Sequence, residues 1–330
     1  MRPLSYVRPR TVEEAVAAVA GDPDSAFLAG GTTEVDLIRL TVARPDVLVD
    51  INALPLADVT GVPDGGLRIG ALSRMSDVAR HRDVVTRYPG MSRALLLGAS
   101  EQLRNMASMG GNLCQRTRCA YFRDGFSACN KRVPGTGCSA LDGINRGHAI
   151  LGTSEHCIAL HPSDVAVSLV ALDAVVQTMG PSGTRTIAID DFFRLPADTP
   201  HIEHPLEHGE LITHIDVPGS PVAARSIYLK FRDRQSYEFA LTSVFAAIRV
   251  ADGTVAEVRL ALGGLGTKPW RARRAERQLV GGPATAEAFA AAAAEELAPA
   301  VTRRSNAFKV ELAERTIVRG LLAAMNGEAR

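Results

Sequence analysis

A chain of 330 residues, 46% hydrophobic and 22% charged, is large enough for two or three ordinary cores. Its formal net charge of +1 lacks the basic field of a nucleic-acid binder, and no apolar run approaches the roughly 18 residues of a membrane span. The opening Met1-Arg2-Pro3-Leu4-Ser5-Tyr6 lacks the apolar core of a signal peptide. The expected compartment is therefore the cytoplasm, or the periplasm through export with a signal-bearing partner.

Thr11 with Glu14 three residues on forms a capping box, and apolar positions then recur at helical spacing to Ala20. Ser25 to Ala29 reads as a strand running into Gly30-Gly31-Thr32-Thr33. Val35 to Leu40 reads as a helix and Asp46 to Ile51 as a buried strand. Strand, glycine turn, helix and strand make an αβ unit whose glycines sit where backbone approaches something closely. Gly66 to Ala71 is a further strand, a helix starts at Ser76, and Arg93 to Ala99 is helical. That stretch leads to Gln102-Leu103-Arg104-Asn105-Met106-Ala107-Ser108-Met109-Gly110-Gly111-Asn112, a second Gly-Gly among small polar residues. Either turn could cradle a pyrophosphate through backbone N–H groups, or be only a tight turn. Neither matches a Walker loop or the G-x-G-x-x-G of a Rossmann unit.

Between Arg116 and Leu160 regular patterning lapses. Past it, Ser163 to Leu172 is a helix and Pro181-Ser182-Gly183 turns a hairpin; Asp190 caps a short helix, and Glu210 to Pro218 alternates as a strand. Gly219-Ser220-Pro221 marks a domain junction. Strands at 225–231, 241–250 and 255–262 follow, then helices at 284–297 and 307–325.

All five cysteines fall between Cys114 and Cys157, and four of them are spaced Cys119-x9-Cys129-x8-Cys138-x18-Cys157. A structural zinc site usually brings thiolates in close C-x(2–4)-C pairs, which these four lack. An iron–sulfur cubane tolerates looser spacing from separate loop points and is the favoured reading. Zinc, disulfides and free thiols remain open alternatives. Seven glycines and prolines make the loop pliable, and Arg116, Arg118, Arg123, Lys131, Arg132 and Arg146 would offset four thiolates. His148, His156 and His161 read as exposed loop residues.

Ala29-Gly30-Gly31-Thr32 with Asp36, and Gln102-Leu103-Arg104-Asn105-x-Ala107-Ser108-x-Gly110-Gly111-Asn112-Leu113, resemble the two flavin-binding signatures of the FAD subunits of molybdenum hydroxylases. The xanthine dehydrogenase and carbon monoxide dehydrogenase flavin units belong to that family. The likeness covers essentially the whole chain, Tyr228-x-Lys230-x-Arg232 and Phe239-Ala240-Leu241 included. The cysteine insert is most similar to that of the iron–sulfur-containing FAD subunit of periplasmic aromatic aldehyde oxidoreductases.

This resemblance implies an α+β chain: a two-part FAD-binding fold of the vanillyl-alcohol-oxidase type, then a C-terminal domain of the CO-dehydrogenase flavoprotein type. The expected units are 1–55, 56–218 with the insert at about 116–160, and 222–330. Ala29, Gly30, Gly31, Thr32, Thr33 and Glu34, with Gln102, Arg104, Asn105, Ser108, Gly110, Gly111 and Asn112, would form the FAD cradle. A carboxylate repels pyrophosphate, so Glu34 is expected to point away. Asp164 would contact the ribityl or adenosine portion and Lys230 would lie near the isoalloxazine, against the plain readings of a helix N-cap and a solvated strand face. Cys119, Cys129, Cys138 and Cys157 would ligate a four-iron four-sulfur cluster.

No residue of this chain would oxidise substrate. Electrons would come from a molybdenum cofactor on a large subunit, through two-iron two-sulfur clusters on a small subunit, to FAD and then to an external acceptor. A hydroxybenzoyl-CoA-reductase-like subunit, with the cluster feeding electrons inward, is the alternative. A zinc-stapled docking module is the alternative from another class.

Overall fold

Thr11 begins the first helix, Val12–Ala20, and its hydroxyl accepts from Glu14 N at 3.2 Å. Glu14 accepts from Arg10 N at 2.7 Å, one residue beyond the Thr11 amide of a reciprocal capping bond. This helix buries Ala15, Val16 and Val19 in a core shared with Val49, Ile51 and Leu211. The sheet beside it places Val47–Asp50 between Ser5–Val7 and Ser25–Leu28, both parallel to it. The glycine turn and the helix Glu34–Arg39 make the crossover between its last two strands, as the αβ pattern requires. The computed structural model describes residues 3–327.

The second sheet is antiparallel, in the order Val59–Gly61, Leu67–Gly70, Leu211–Val217, Val175–Gly180, Gly183–Ala188. The chain leaves it after Gly70 for a run of helices and returns at Val175. Helix Pro89–Leu97 starts a turn before the expected Arg93, because Pro89 is tolerated in a first turn that needs no amide donor. Helix Asp164–Ala171 is buried along its whole length, so its apolar run carries no amphipathic stripe. Residues 101–106 and 109–113 also form short helices, which the glycines hide from any periodicity argument.

A four-stranded antiparallel sheet follows, ordered Trp270–Arg271, Thr254–Gly263, Thr242–Ala251, Ile227–Phe231. Helices Arg273–Leu279, Ala286–Leu297 and Phe308–Asn326 share its core. The alanine run is a packed helix, with Phe289, Ala292 and Ala293 buried. The largest core crosses the Gly219-Ser220-Pro221 junction: Tyr88, Met91 and Leu95 pack in one cluster with Tyr228 and Phe245.

The cysteine insert leaves and rejoins the fold at one point, where Thr117 Oγ1 donates to the Leu160 carbonyl at 3.1 Å. Within it only Ala120–Arg123 is helical. Its return arm enters the C-terminal core: Ile150 and Leu151 are buried there, and their amides donate to the Leu265 carbonyl at 2.8 and 3.0 Å.

Candidate functional site

The two glycine turns meet. A Cβ on Gly30 would lie 1.9 Å from the Met106 carbonyl oxygen and 2.7 Å from its carbon, so the first turn lies directly on the second. Gly31 has φ of +71°, a left-handed conformation that glycine adopts without strain. In the second turn Ser108 caps the helix Met109–Leu113, accepting from Gly111 N at 3.2 Å, and the Gly110 amide donates to the Ala71 carbonyl at 2.8 Å.

Two cavities open where the turns touch. One, of about 550 Å³, is bounded by residues 29–34, Ser108, Gly110, Gly111 and residues 206–212, which lead into the returning strand. The other, of about 610 Å³, runs past Asn112, Asp164 and the loop carrying Tyr237 and Phe239. Thr32, Thr33 and Gly111 border both. A bipartite ligand lying across these three residues would have one half in each cavity.

Of the predicted cradle, Ala29 to Glu34, Ser108, Gly110, Gly111, Asn112 and Asp164 all border this space. Glu34 is among the residues bordering the first cavity, where burial raises its pKa and the Arg116 guanidinium acts in opposition. The expected repulsion is thus tempered in two ways, by a neighbouring cation and by a greater readiness to be neutral. Gln102 and Asn105 are exposed and border neither cavity. Arg104 faces the chain itself, donating to the Gly98 and Ala99 carbonyls at 2.8 and 3.2 Å, and so fixes the turn behind the cavity wall.

Asp164 is no N-cap; Ser163 holds that position and accepts from Ala166 N at 3.0 Å. Asp164 instead receives Lys230 Nζ at 2.7 Å and the Tyr228 hydroxyl at 2.8 Å. Burial raises its pKa, and Lys230 and the hydroxyl counter that rise. Lys230 is not on a solvated face either, since its side chain is 1% exposed and also donates to the Leu97 carbonyl at 3.1 Å. Lys230 borders neither cavity; it stands one layer behind Asp164 and holds that carboxylate against the wall.

The four cysteines of the insert and Cys114 just before it are all free thiols. Cys129 and Cys138 face each other across an antiparallel bridge. Burial pushes the Cys119 thiol up to about 12, and proximity to Cys129 and Cys157 adds to the rise. Burial likewise raises Cys157 to about 11, with Cys138 and Cys129 contributing and Lys131 opposing. Cys119 thus feels Cys129 and Cys157, and Cys157 feels Cys129 and Cys138. Among the described residues, no three His, Cys, Asp or Glu close around a single ion position.

The basic residues of the insert mostly act as fasteners. Arg116 and Lys131 grip Glu203 at 2.5 and 3.0 Å, Arg123 pairs with Asp36, and Arg146 pairs with Asp233 at 2.6 Å. Arg132 ties Tyr121 and Phe122 carbonyls at 2.7 and 2.8 Å. Two of the three histidines are not exposed loop residues. His148 is buried with Nε2 3.2 Å from Cys119 Sγ, and burial drops its pKa to about 4. His161 is held down to about 3 by burial and packs edge-on to Phe193. Only His156 is exposed.

Sequence reasoning missed Glu203 and the 204–209 segment, which contributes to a wall of the first cavity. The segment lies between hairpin and strand with no period to read, and only the fold brings it to the glycine turns.

Two family models match the chain: one described as FAD binding domain in molybdopterin dehydrogenase, over residues 2–220, and one described as CO dehydrogenase flavoprotein C-terminal domain, over residues 227–324. The chain is 47% identical over 331 residues to the aldehyde oxidoreductase FAD-binding subunit PaoB of Escherichia coli (strain K12), covering 100% of this chain and 99% of that relative. It is 28% identical to the carbon monoxide dehydrogenase medium chain of Hydrogenophaga pseudoflava, across 97% and 96% of the two. The solved carbon monoxide dehydrogenase from Hydrogenophaga pseudoflava superposes with a TM-score of 0.76 at 26% identity, over 99% of this chain and 98% of that one. Quinoline 2-oxidoreductase from Pseudomonas putida 86 gives 0.77 at 21% identity, over 100% and 99%, a likeness of fold.

Proposed function

The chain belongs to the FAD-binding subunits of the molybdenum hydroxylases, and we propose that it is the flavin-carrying electron-transfer subunit of an aldehyde-oxidising member. The observation that carries the reading is the contact of the two glycine turns at the mouth of both cavities. Backbone amides there can approach a diphosphate with no side chain in between. The adenosine half would take the cavity beside residues 206–212, and the isoalloxazine half the one beside Asn112 and Asp164. Bound flavin supplies the exchange between one-electron iron–sulfur donors and an external acceptor. The chain's own contribution is to hold both halves, shield them with buried walls, and set the local field through the Asp164–Lys230 pair.

In this reading residues 1–55 and 56–218 are the two parts of the flavin fold and 222–330 the C-terminal domain. A large molybdenum-cofactor subunit and a small two-iron two-sulfur subunit complete the enzyme. The relative at 47% identity is named for aldehyde oxidation, which favours this assignment over a hydroxybenzoyl-CoA reductase. Export, if it occurs, would follow a signal on the small subunit. Among the described residues no helix is long and apolar enough to cross a membrane.

Cys119, Cys129, Cys138 and Cys157 would hold a four-iron four-sulfur cluster. Their mutual proximity and free thiol state support this, and a cluster spreads its thiolates over separate corners rather than around one ion. The raised thiol pKa values mean that loading would release protons, since only thiolates ligate. A visible spectrum with iron and acid-labile sulfide, measured on anaerobically purified protein beside Cys129→Ser, tests both cofactors. Flavin bands with about four irons per chain, iron lost in the variant and FAD kept, is the expected result. One zinc and no iron would make the insert a structural clip, and a colourless protein would sink the flavin assignment.

A further inference from the structure

Six charged side chains border the second cavity: Asp36, Arg118, Arg123, Asp164, Arg234 and Glu238. Each carboxylate among them already has a cation. Asp36 is held by Arg123, Asp164 by Lys230 at 2.7 Å, and Glu238 by Arg234 at 3.7 Å. Arg118 is the cation left over, for among the described residues no carboxylate lies within ion-pair distance of it. Its Nη1 donates to the Arg116 carbonyl at 2.6 Å, its Nη2 reaches Thr33 Oγ1 at 3.5 Å, and its guanidinium carbon lies 5.5 Å from the Phe239 ring centre. These engage two of five N–H donors and leave the rest of the fork for another partner.

A partly buried cation whose neighbouring carboxylate, Asp36, is already taken by Arg123 carries a desolvation cost that an anion in the cavity would offset. Thr33, which Arg118 touches, borders both cavities. In a dinucleotide the diphosphate links the two halves, so it must lie where the two cavities join. A guanidinium fork matches phosphate oxygens bidentately, as a lysine does not. We propose that Arg118 binds the diphosphate of FAD, so that the cysteine insert completes the flavin site. This rests on the flavin reading above and adds to it a residue from outside both glycine signatures. Because Arg118 directly precedes Cys119, ordering of the cysteine loop would also set the arginine in place.

The test uses the full chain, stripped of flavin and titrated separately with FAD, ADP and riboflavin, for the parent and for Arg118→Ala and Arg118→Lys. Losing a charged hydrogen-bond partner should weaken FAD and ADP binding alike in Arg118→Ala, by about tenfold to a hundredfold. Riboflavin, which has no phosphate, should bind unchanged. Arg118→Lys should recover part of the loss, because it keeps the charge but not the fork. Unchanged ADP affinity in both variants, or a loss confined to riboflavin, overturns the assignment. Iron content and thermal midpoint equal to the parent's show that the variants are folded. A parent that takes up no FAD is a separate result, which sinks the flavin reading and this inference with it.

Discussion

Lys230 shows how a single residue can be misread from its strand and then explained by its partner. Period-2 alternation placed it on one side of Ile227–Phe231 but did not say that helix Asp164–Ala171 would cover that side. Once covered, an ammonium and a carboxylate 2.7 Å apart become mutually dependent, and removing one leaves the other buried and uncompensated. Lys230→Met should therefore lower the unfolding free energy by about 3–5 kcal/mol near pH 7. The pH dependence has a definite sign. Asp164 has a folded-state pKa raised by burial even with Lys230 present. Folded protein thus binds its proton more readily than unfolded protein, and stability falls as pH rises through that window. Without the lysine the raised pKa climbs further, so the variant should regain stability between pH 7 and pH 5 relative to the parent. Urea midpoints at the two pH values measure this; equal deficits at both would show that the lysine contributes packing rather than charge.

Among the elements, helix Phe308–Asn326 was legible from its apolar residues Leu312, Ile317 and Leu321, of which the last two are buried and Leu312 is half-buried. Lys309 in its first turn was not, because nothing local shows that the cysteine insert folds over it. Its ammonium is wholly buried and donates to the His148 carbonyl at 3.0 Å and the Gly264 carbonyl at 2.8 Å. Burial, with Arg146 adding to it, pulls its pKa down to about 7. In unfolded protein the amine titrates near 10.4. Below about 7 both states carry the proton and the folded state bears the full desolvation cost. Between 7 and 10 only the unfolded state holds it, so stability rises with pH. Parent protein should thus show a higher urea midpoint at pH 8.5 than at pH 7, and Lys309→Met should flatten that rise. An unchanged slope in the variant would assign the rise to another group. The glycine turns were legible as a pair because glycine is demanded by backbone contact that sequence can mark, at Gly30 above all. Glu203 was not, since its function is to receive Arg116 and Lys131 from a loop 87 and 72 residues earlier.

At the scale of the molecule, the insert is a bridge between all three sheets rather than an appendage. Arg123 reaches Asp36 beside the parallel sheet. Arg116 and Lys131 hold Glu203 on the segment between the outer hairpin and strand Leu211–Val217. Ile150 and Leu151 enter the C-terminal core, where the Val301 amide donates to the Ile150 carbonyl at 2.8 Å. The sequence marks where the insert begins and ends, because patterning lapses there. It does not mark Ile150 as a core residue, since a lone apolar pair in a glycine-rich loop has no period. Full burial in a shared core predicts a global effect. Ile150→Ala should cost about 2–5 kcal/mol and lower the urea midpoint of the whole chain in a single transition, since one cooperative unit responds as one. An insert that merely hung from the Thr117–Leu160 base would respond differently. Limited proteolysis would then find new cuts within residues 118–159 while the midpoint stayed where it was, and the insert would meet the two cavities only through Arg116, Arg118 and Arg123.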